Sequence, residues 1–365
     1  MRKLKVGIIG VGMAFERLHY PAYKALAEHY QIAAICDKVM DKCSIWQGRL
    51  GLQPTDLYTD FKEMLERNDL DIIDIMVPIE LNFRVTKEVA KTLSGKKKAI
   101  ICEKPLAPTL EQAMEARNLA KDYKIPIMIA ENYRHNQEIS IIRDLIKAGK
   151  VGETHYFLQN RVMNFPDEMV KNKFAAKEWR QHPEFPGGAM TDTGVHDIAA
   201  LQHLFGRIEK VQAFGKPQDA DFSPYVVVNA NLQFTSGLTG QFTFFIAGKE
   251  MQRPLTGLRI FGSEGMIYLE ERDCGTINLA YNDGRSEQIP YEVQKGYYNE
   301  LLNLYNALTG TEEISVTPEI EFGDLRALMC IYKSITEEKI VHIDEFDTPQ
   351  DTGFQEPVGT NLHLH

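Results

Sequence analysis

Three residues from two distant stretches of the chain have the right types to move a proton and steady a charged oxygen: Lys104, Asp192 and His196. Lys104 stands in Glu103-Lys104-Pro105, directly after an apolar run of strand length at residues 99–102. A lysine at a strand end supplies a donor and a positive charge where a substrate oxygen would sit. Lysine is ordinarily a solvated surface residue. Pro105 argues otherwise here, because it fixes the backbone and is compatible with a cis bond. Asp192 and His196 lie in Met190-Thr191-Asp192-Thr193-Gly194-Val195-His196-Asp197. Spaced i, i+4 at the start of an expected helix, their side chains share one face. A carboxylate beside an imidazole is a general-base arrangement; a capping Asp next to a packed His is the structural alternative. No metal site is expected, since no third ligand has fitting spacing. Pro186-Gly187-Gly188 adds a tight loop upstream. Trp179-Arg180 adds an aromatic and a guanidinium suited to a flat cofactor, although Trp179 could equally be core.

A second set of residues has the pattern of a dinucleotide cradle. The first apolar run, residues 4–9, leads into Gly10-Val11-Gly12-Met13-Ala14-Phe15. Two glycines one apart make a tight turn and let the backbone approach a pyrophosphate at the following helix N-terminus. Phe15 replaces the third glycine of the fingerprint, so helix–strand packing must be solved differently. The second run ends in Asp37, placed to accept from adenosine ribose hydroxyls and to repel a 2′-phosphate. NAD is therefore expected over NADP, with Lys38 and Lys42 close enough to soften the preference. Asp37 could also serve as an N-cap. Val77-Pro78 with Asn82, Glu103-Lys104 and Asn132 follow later strand ends and would line the same crevice.

These residues need a scaffold. Apolar runs at 4–9, 31–36, 72–77, 99–102 and 126–130, with a shorter one at 56–58, alternate with helical periods at 13–29, 41–50, 61–67, 82–93 and 110–123. Near-continuous apolar strands joined by helices indicate a parallel, doubly wound Rossmann-type sheet. After a helix at 137–147 the pattern changes to strands at 155–161, 211–215, 225–234, 238–246, 258–261, 266–269 and 277–281, interrupted by a helix at 192–205. This predicts an α+β domain on a large, mainly antiparallel, open sheet. Helices return at 297–308 and 320–335. The expected division is a cofactor domain over 1–131, a substrate and oligomerisation domain over 132–342, and a tail over 343–365.

Composition bounds the possibilities. The 365 residues suit two domains. At 44% hydrophobic and 25% charged the chain has enough apolar area for two cores. A formal charge of −10 lacks the basic footprint of a nucleic-acid binder. Five cysteines without a C-x-x-C pair argue against a disulfide framework and a structural zinc site. No apolar run approaches the roughly 18 residues needed to span a membrane. The segment before Glu16-Arg17 has no small-residue cleavage site, so a signal peptide is not expected. A cytoplasmic enzyme is the expectation.

Taken in order, Gly10-x-Gly12, Glu103-Lys104-Pro105 and Gly187-Gly188-x-x-x-Asp192-x-Gly194-x-His196 resemble the Gfo/Idh/MocA oxidoreductase family. Asn132-Tyr133-Arg134, Gly149-Lys150-Val151-Gly152-Glu153 and Trp179-Arg180 also look like family segments. Phe15, and Asn82 where the family often has His, depart from the pattern. The resemblance implies that Lys104, Asp192 and His196 are catalytic and that the substrates are sugars, polyols or their derivatives. It also implies a homodimer or homotetramer built through the open sheet face. The expected reaction passes a hydride between a secondary alcohol and the nicotinamide. His196 would take the proton, Asp192 would orient or balance the imidazole, and Lys104 would bond the reacting oxygen. Tyr133, Arg161 and His135 are candidates for substrate contact. The rival readings are an NAD-dependent glycosidase or epimerase-like enzyme and a non-catalytic dinucleotide-binding regulator.

Overall fold

The computed structural model describes residues 2–170, 177–249 and 256–346. Six parallel strands open it: β1 (Leu4–Ile9), β2 (Tyr30–Cys36), β3 (Leu57–Tyr58), β4 (Ile72–Ile75), β5 (Ala99–Glu103) and β6 (Ile127–Ala130), in the order β3-β2-β1-β4-β5-β6. β4 and β5, rich in Ile, are buried along their whole length, as helices on both faces require. Strand order reverses between β1 and β4, and the carboxyl ends there open into a crevice. This is the expected doubly wound sheet.

The helix expected over 13–29 is not continuous. A π-helical turn, Phe15–His19, precedes an α-helical stretch, Tyr20–Ala25. Phe15, fully buried in the third-glycine position, packs edge-on against Trp46 at 4.8 Å and against Tyr20 at 5.8 Å.

The second sheet has nine strands: β7 (Thr154–Val162), β8 (Ile208–Pro217), β9 (Tyr225–Phe234), β10 (Thr239–Phe245), β11 (Thr256–Gly262), β12 (Gly265–Leu269), β13 (Thr276–Tyr281), β14 (Ser286–Pro290) and β15 (Val341–His342). Their order is β14-β13-β12-β11-β7-β10-β9-β8-β15, antiparallel throughout except for the β7–β10 pair. Strand β14 was not expected, because its sequence is polar and mostly exposed, without apolar alternation. One sheet face is buried, with Phe157, Gln159 and Arg161 of β7 beside Val228 and Ala230 of β9. The helix Val195–Phe205 packs there, Phe205 stacking on Phe157 at 4.9 Å, and the helix Pro318–Glu337 covers β8. The other face exposes Tyr156, Phe214, Asn229, Asn231 and Gln241.

The chain then returns to the first sheet. The helix Gly296–Thr309 buries Leu301, Leu304 and Tyr305 in the same core as Tyr30, whose hydroxyl donates to the Leu301 carbonyl at 2.6 Å. Part of the stretch expected as second domain thus completes the first core. Of the expected tail, a turn at Ile343–Phe346 is described, and residues 347–365 lie outside the described residues. Among the described residues no helix is long and apolar enough to cross a membrane.

Candidate active site

Gly10 has φ +94°, and a Cβ there would lie 2.2 Å from the Met76 carbonyl oxygen, so only glycine fits the turn. Gly12 is different: a Cβ would meet nothing within 4 Å. The open space lies where Gly12-Met13-Ala14 leads into the helix, and it suits a pyrophosphate. The Asp37 carboxylate accepts from the backbone N–H groups of Val11 (3.3 Å) and Val39 (3.0 Å), and Lys42 Nζ lies 3.5 Å from it. Asp37 thereby ties the end of β2 to the glycine turn. Val39, not Asp37, is the residue that caps the helix Met40–Leu50, so the capping role does not hold. Lys38 is exposed beside it. Val77 and Pro78 follow β4, and Pro78 immediately precedes the helix Ile79–Leu93.

Asn82, expected against the cofactor, is fully buried and clamps the neighbouring turn through Nδ2, while its Oδ1 has no partner among the described residues. Its Nδ2 donates to the carbonyls of Glu103 (2.8 Å) and Pro105 (3.0 Å), across a cis Lys104–Pro105 bond. The Glu103 carboxylate points inward. His19, on the π-helical turn, bridges it (Nε2 to Oε1, 3.0 Å) to Asp74 (Nδ1 to Oδ2, 2.8 Å), and Tyr23 also donates to Asp74 at 2.8 Å. Burial works to lower the His19 pKa, but Asp74 and Glu103 raise it well above the usual value. A charged His19 donates from both nitrogens.

Lys104 and Asp192 meet across the two sheets. Lys104 Nζ donates to the Asp192 carbonyl (2.5 Å) and to Oδ1 (3.0 Å). Arg180 Nη2 lies 2.9 Å from Oδ2, with its guanidinium 5.1 Å from the Trp179 ring centre. Burial works to raise the Asp192 pKa, yet Arg180 and Lys104 outweigh it and hold the carboxyl down to about 2. In the loop before Asp192, Gly187 has φ +78°, and a Cβ there would lie 2.0 Å from the Tyr332 hydroxyl, so only glycine fits.

His196 has a different partner from the one expected. Its Nδ1 lies 2.7 and 2.8 Å from the two oxygens of Glu131, at the end of β6. Asp192 belongs to a π-helical turn, Met190–Gly194, and His196 to the α-helix that follows. The two groups still act on each other's charge, but each takes its hydrogen bonds or ion pair elsewhere. Burial, Lys104 and Arg161 push the His196 pKa well below its usual value, leaving a neutral ring. Burial pushes Glu131 up to about 7 against the pull of Lys104, Arg134, Arg161 and Arg272. Nε2 of His196 has no hydrogen-bond partner among the described residues. With Nδ1–H donating to Glu131, Nε2 is the basic nitrogen.

Tyr133 stacks on His196, ring centres 4.4 Å apart. Its hydroxyl accepts from Arg161 (2.9 Å) and from Arg272. Asn132 is buried with its Oδ1 unpartnered. His135 is drawn away, its Nε2 3.1 Å from the Oγ of the exposed Ser315. Glu131 and Arg272 were not singled out as site residues from the sequence. Glu131 carried a weak signal, as a carboxylate at a strand end on the crevice side; Arg272, on a turn between β12 and β13, carried none.

The family model for an oxidoreductase family with an NAD-binding Rossmann fold matches residues 4–131. The GFO/IDH/MocA C-terminal domain model matches residues 139–268. The chain is 26% identical over 347 residues to an uncharacterised protein of Saccharomyces cerevisiae, covering 92% of this chain and 96% of that one. It is 24% identical over 294 residues to 1,5-anhydro-D-fructose reductase of Ensifer adhaerens, covering 78% and 84%. Among solved structures it is similar to a levoglucosan dehydrogenase in complex with NADH and L-sorbose, with a TM-score of 0.82, 19% identity and coverage of 94% and 99%.

Proposed function

The chain belongs to the GFO/IDH/MocA oxidoreductase family, and we propose that it oxidises a secondary alcohol of a sugar, polyol or diol with NAD, or reduces the matching carbonyl, using Lys104, Asp192 and His196. One observation carries the reading: Lys104, from the end of β5, and Asp192, from the second unit, are within hydrogen-bond distance, and the neutral His196 lies on the same crevice. The sugar class is supported by relatives that act on 1,5-anhydro-D-fructose and levoglucosan.

The residues present fit a dinucleotide. The open space at Gly12 suits the pyrophosphate, Asp37 the adenosine ribose, and Asn132 Oδ1 is a buried acceptor awaiting a donor. Gly10, Met13, Ala14, Val77, Pro78, Glu103 and Asn132 would line that path, with Asp37 favouring NAD over NADP. When bound, NAD accepts the carbinol hydride. His196 Nε2 removes the hydroxyl proton, and Glu131 holds Nδ1 and takes up the charge of the imidazolium that forms. Lys104 donates to the same oxygen as negative charge grows on it. Asp192, shared by Lys104 and Arg180, holds the ammonium in place rather than the imidazole.

In this reading residues 1–131 carry the cofactor and 132–342 carry the substrate face and the subunit contact, in a homodimer or homotetramer. The five cysteines, all unpaired, suit a reducing cytoplasm. The test is a panel of sugars, polyols and diols with NAD and NADP in parallel, read by nicotinamide absorbance. His196→Ala should lower kcat by about 10²–10⁴-fold and leave NAD affinity nearly intact. Normal turnover by that variant would remove His196 from the chemistry.

A further inference from the structure

Resting on the dehydrogenase reading above, we propose that the substrate carries a carboxylate held by Arg161 and Arg272 beside Tyr133. Two guanidiniums from different elements, the inner face of β7 and the β12–β13 turn, donate to one phenol oxygen. They lie 5.5 and 4.6 Å from the Tyr133 ring centre. A neutral phenol does not balance two cations. The carboxylates paired with these arginines are held loosely or elsewhere. Asp197 is 3.5 Å from Arg161 and accepts from Gln159 at 3.3 Å; Asp273 is 3.8 Å from Arg272 and partly exposed. Glu131 is taken by His196 and by the Tyr133 N–H.

Arg134, a few residues away, shows what a satisfied arginine looks like here: three contacts to Asp324 between 2.6 and 3.1 Å. Arg161 and Arg272 have no such two-oxygen partner, and Lys104 and Arg180 already share the one carboxylate of Asp192. The two guanidiniums therefore converge on a neutral oxygen, and one of them, Arg161, is only 9% exposed. A planar carboxylate matches the guanidinium fork and would give these arginines the two-oxygen partner they lack. Tyr133 stacks on His196 at 4.4 Å, so an acid bound there stands one ring from the general base. The ligand class is a sugar or polyol acid, such as an aldonate or uronate, oxidised at a hydroxyl near its carboxylate.

The test uses matched sets of neutral aldoses and polyols, their aldonic and uronic acids, and their 6-phosphates. Initial rates with NAD are read beside calorimetric binding of each compound to the protein–NADH complex. The acids should exceed their neutral counterparts in kcat/KM by tenfold or more. Arg272→Met should lower the acid's kcat/KM about 10–100-fold, mainly through KM, and bring the acid-to-neutral ratio toward one. Arg272→Lys should recover part of that preference. Equal or better use of neutral sugars, with the ratio unmoved in Arg272→Met, overturns the carboxylate and leaves the dehydrogenase standing. A preference for the 6-phosphates overturns it in favour of a phosphoryl group. Acid binding that Arg272→Met abolishes, with no compound turned over, keeps the anion site and removes the dehydrogenase reading. No binding and no turnover across the panel overturns both.

Discussion

In the proposed reaction His196 is a base only while its ring is neutral and Nε2 is the nitrogen that lacks a proton. Burial with Lys104 and Arg161 nearby secures the first condition, and Glu131 at 2.7 Å from Nδ1 secures the second. Glu131, pushed up to about 7 by burial, is the group that titrates in the working range. Below that value it is protonated and no longer balances an imidazolium; above it the charge is present. Alcohol oxidation should therefore rise with pH through about 7 to a plateau, a value that belongs to the Glu131–His196 pair. Glu131→Gln should be slower and should lose that limb, as a pH–rate profile will show. An unchanged profile would make Glu131 purely structural. Lys104→Met should cost about 10²–10³ in kcat, and combined with His196→Ala the loss should be less than the product of the two, because both groups serve one oxygen.

At the scale of the element, the glycine turn separates folding from binding. Gly10→Ala forces a Cβ to 2.2 Å from the Met76 carbonyl oxygen at a positive φ, so it should lower stability by about 1–3 kcal/mol or more. Gly12→Ala meets open space in the protein alone, so its Tm should stay within a degree or two while NADH affinity falls. Thermal melts and nicotinamide fluorescence titrations on the two variants check this. A Gly12→Ala protein that binds NADH normally would place the pyrophosphate elsewhere. Two π-helical turns, Phe15–His19 and Met190–Gly194, carry His19 and Asp192 into position. Such turns recur at functional sites because they re-aim side chains that a regular helix would point elsewhere.

At the scale of the whole molecule, the outer face of the nine-stranded sheet is the surface proposed here for subunit contact. Tyr156 stacks on Phe261 at 4.3 Å while remaining 42% exposed, and Phe214 is 66% exposed among Asn229, Asn231 and Gln241. Exposed aromatics on a broad, flat sheet suit a self-complementary contact between copies of the chain. Sedimentation should show a dimer or tetramer at micromolar concentration, and Phe214→Asp should shift it toward monomer without changing the far-ultraviolet spectrum. A monomeric native protein would leave this face a plain solvated surface.

Much of this was legible in the residues themselves. Buried parallel strands are near-continuously apolar and helices have a 3.6-residue period, so the doubly wound sheet and its crevice could be read from residues 4–130. Glycines and the Glu103-Lys104-Pro105 and Asp192–His196 segments marked the turn and the groups proposed here for cofactor binding and catalysis, because turn geometry and titratable chemistry are local properties. Partner choice is not local. That Asp192 pairs with Lys104 and Arg180, and His196 with Glu131, depends on how β5, β6 and two segments of the second unit meet. The i, i+4 spacing keeps Asp192 and His196 within reach of each other's charge, but Lys104, Arg180 and Glu131 offer each a direct partner that spacing could not show. The convergence of Arg161 and Arg272 on Tyr133 joins residues 28 and 139 positions apart from it. Only packing of the two sheets brings such residues together, because side-chain contact is set by distance in space and not by distance along the chain.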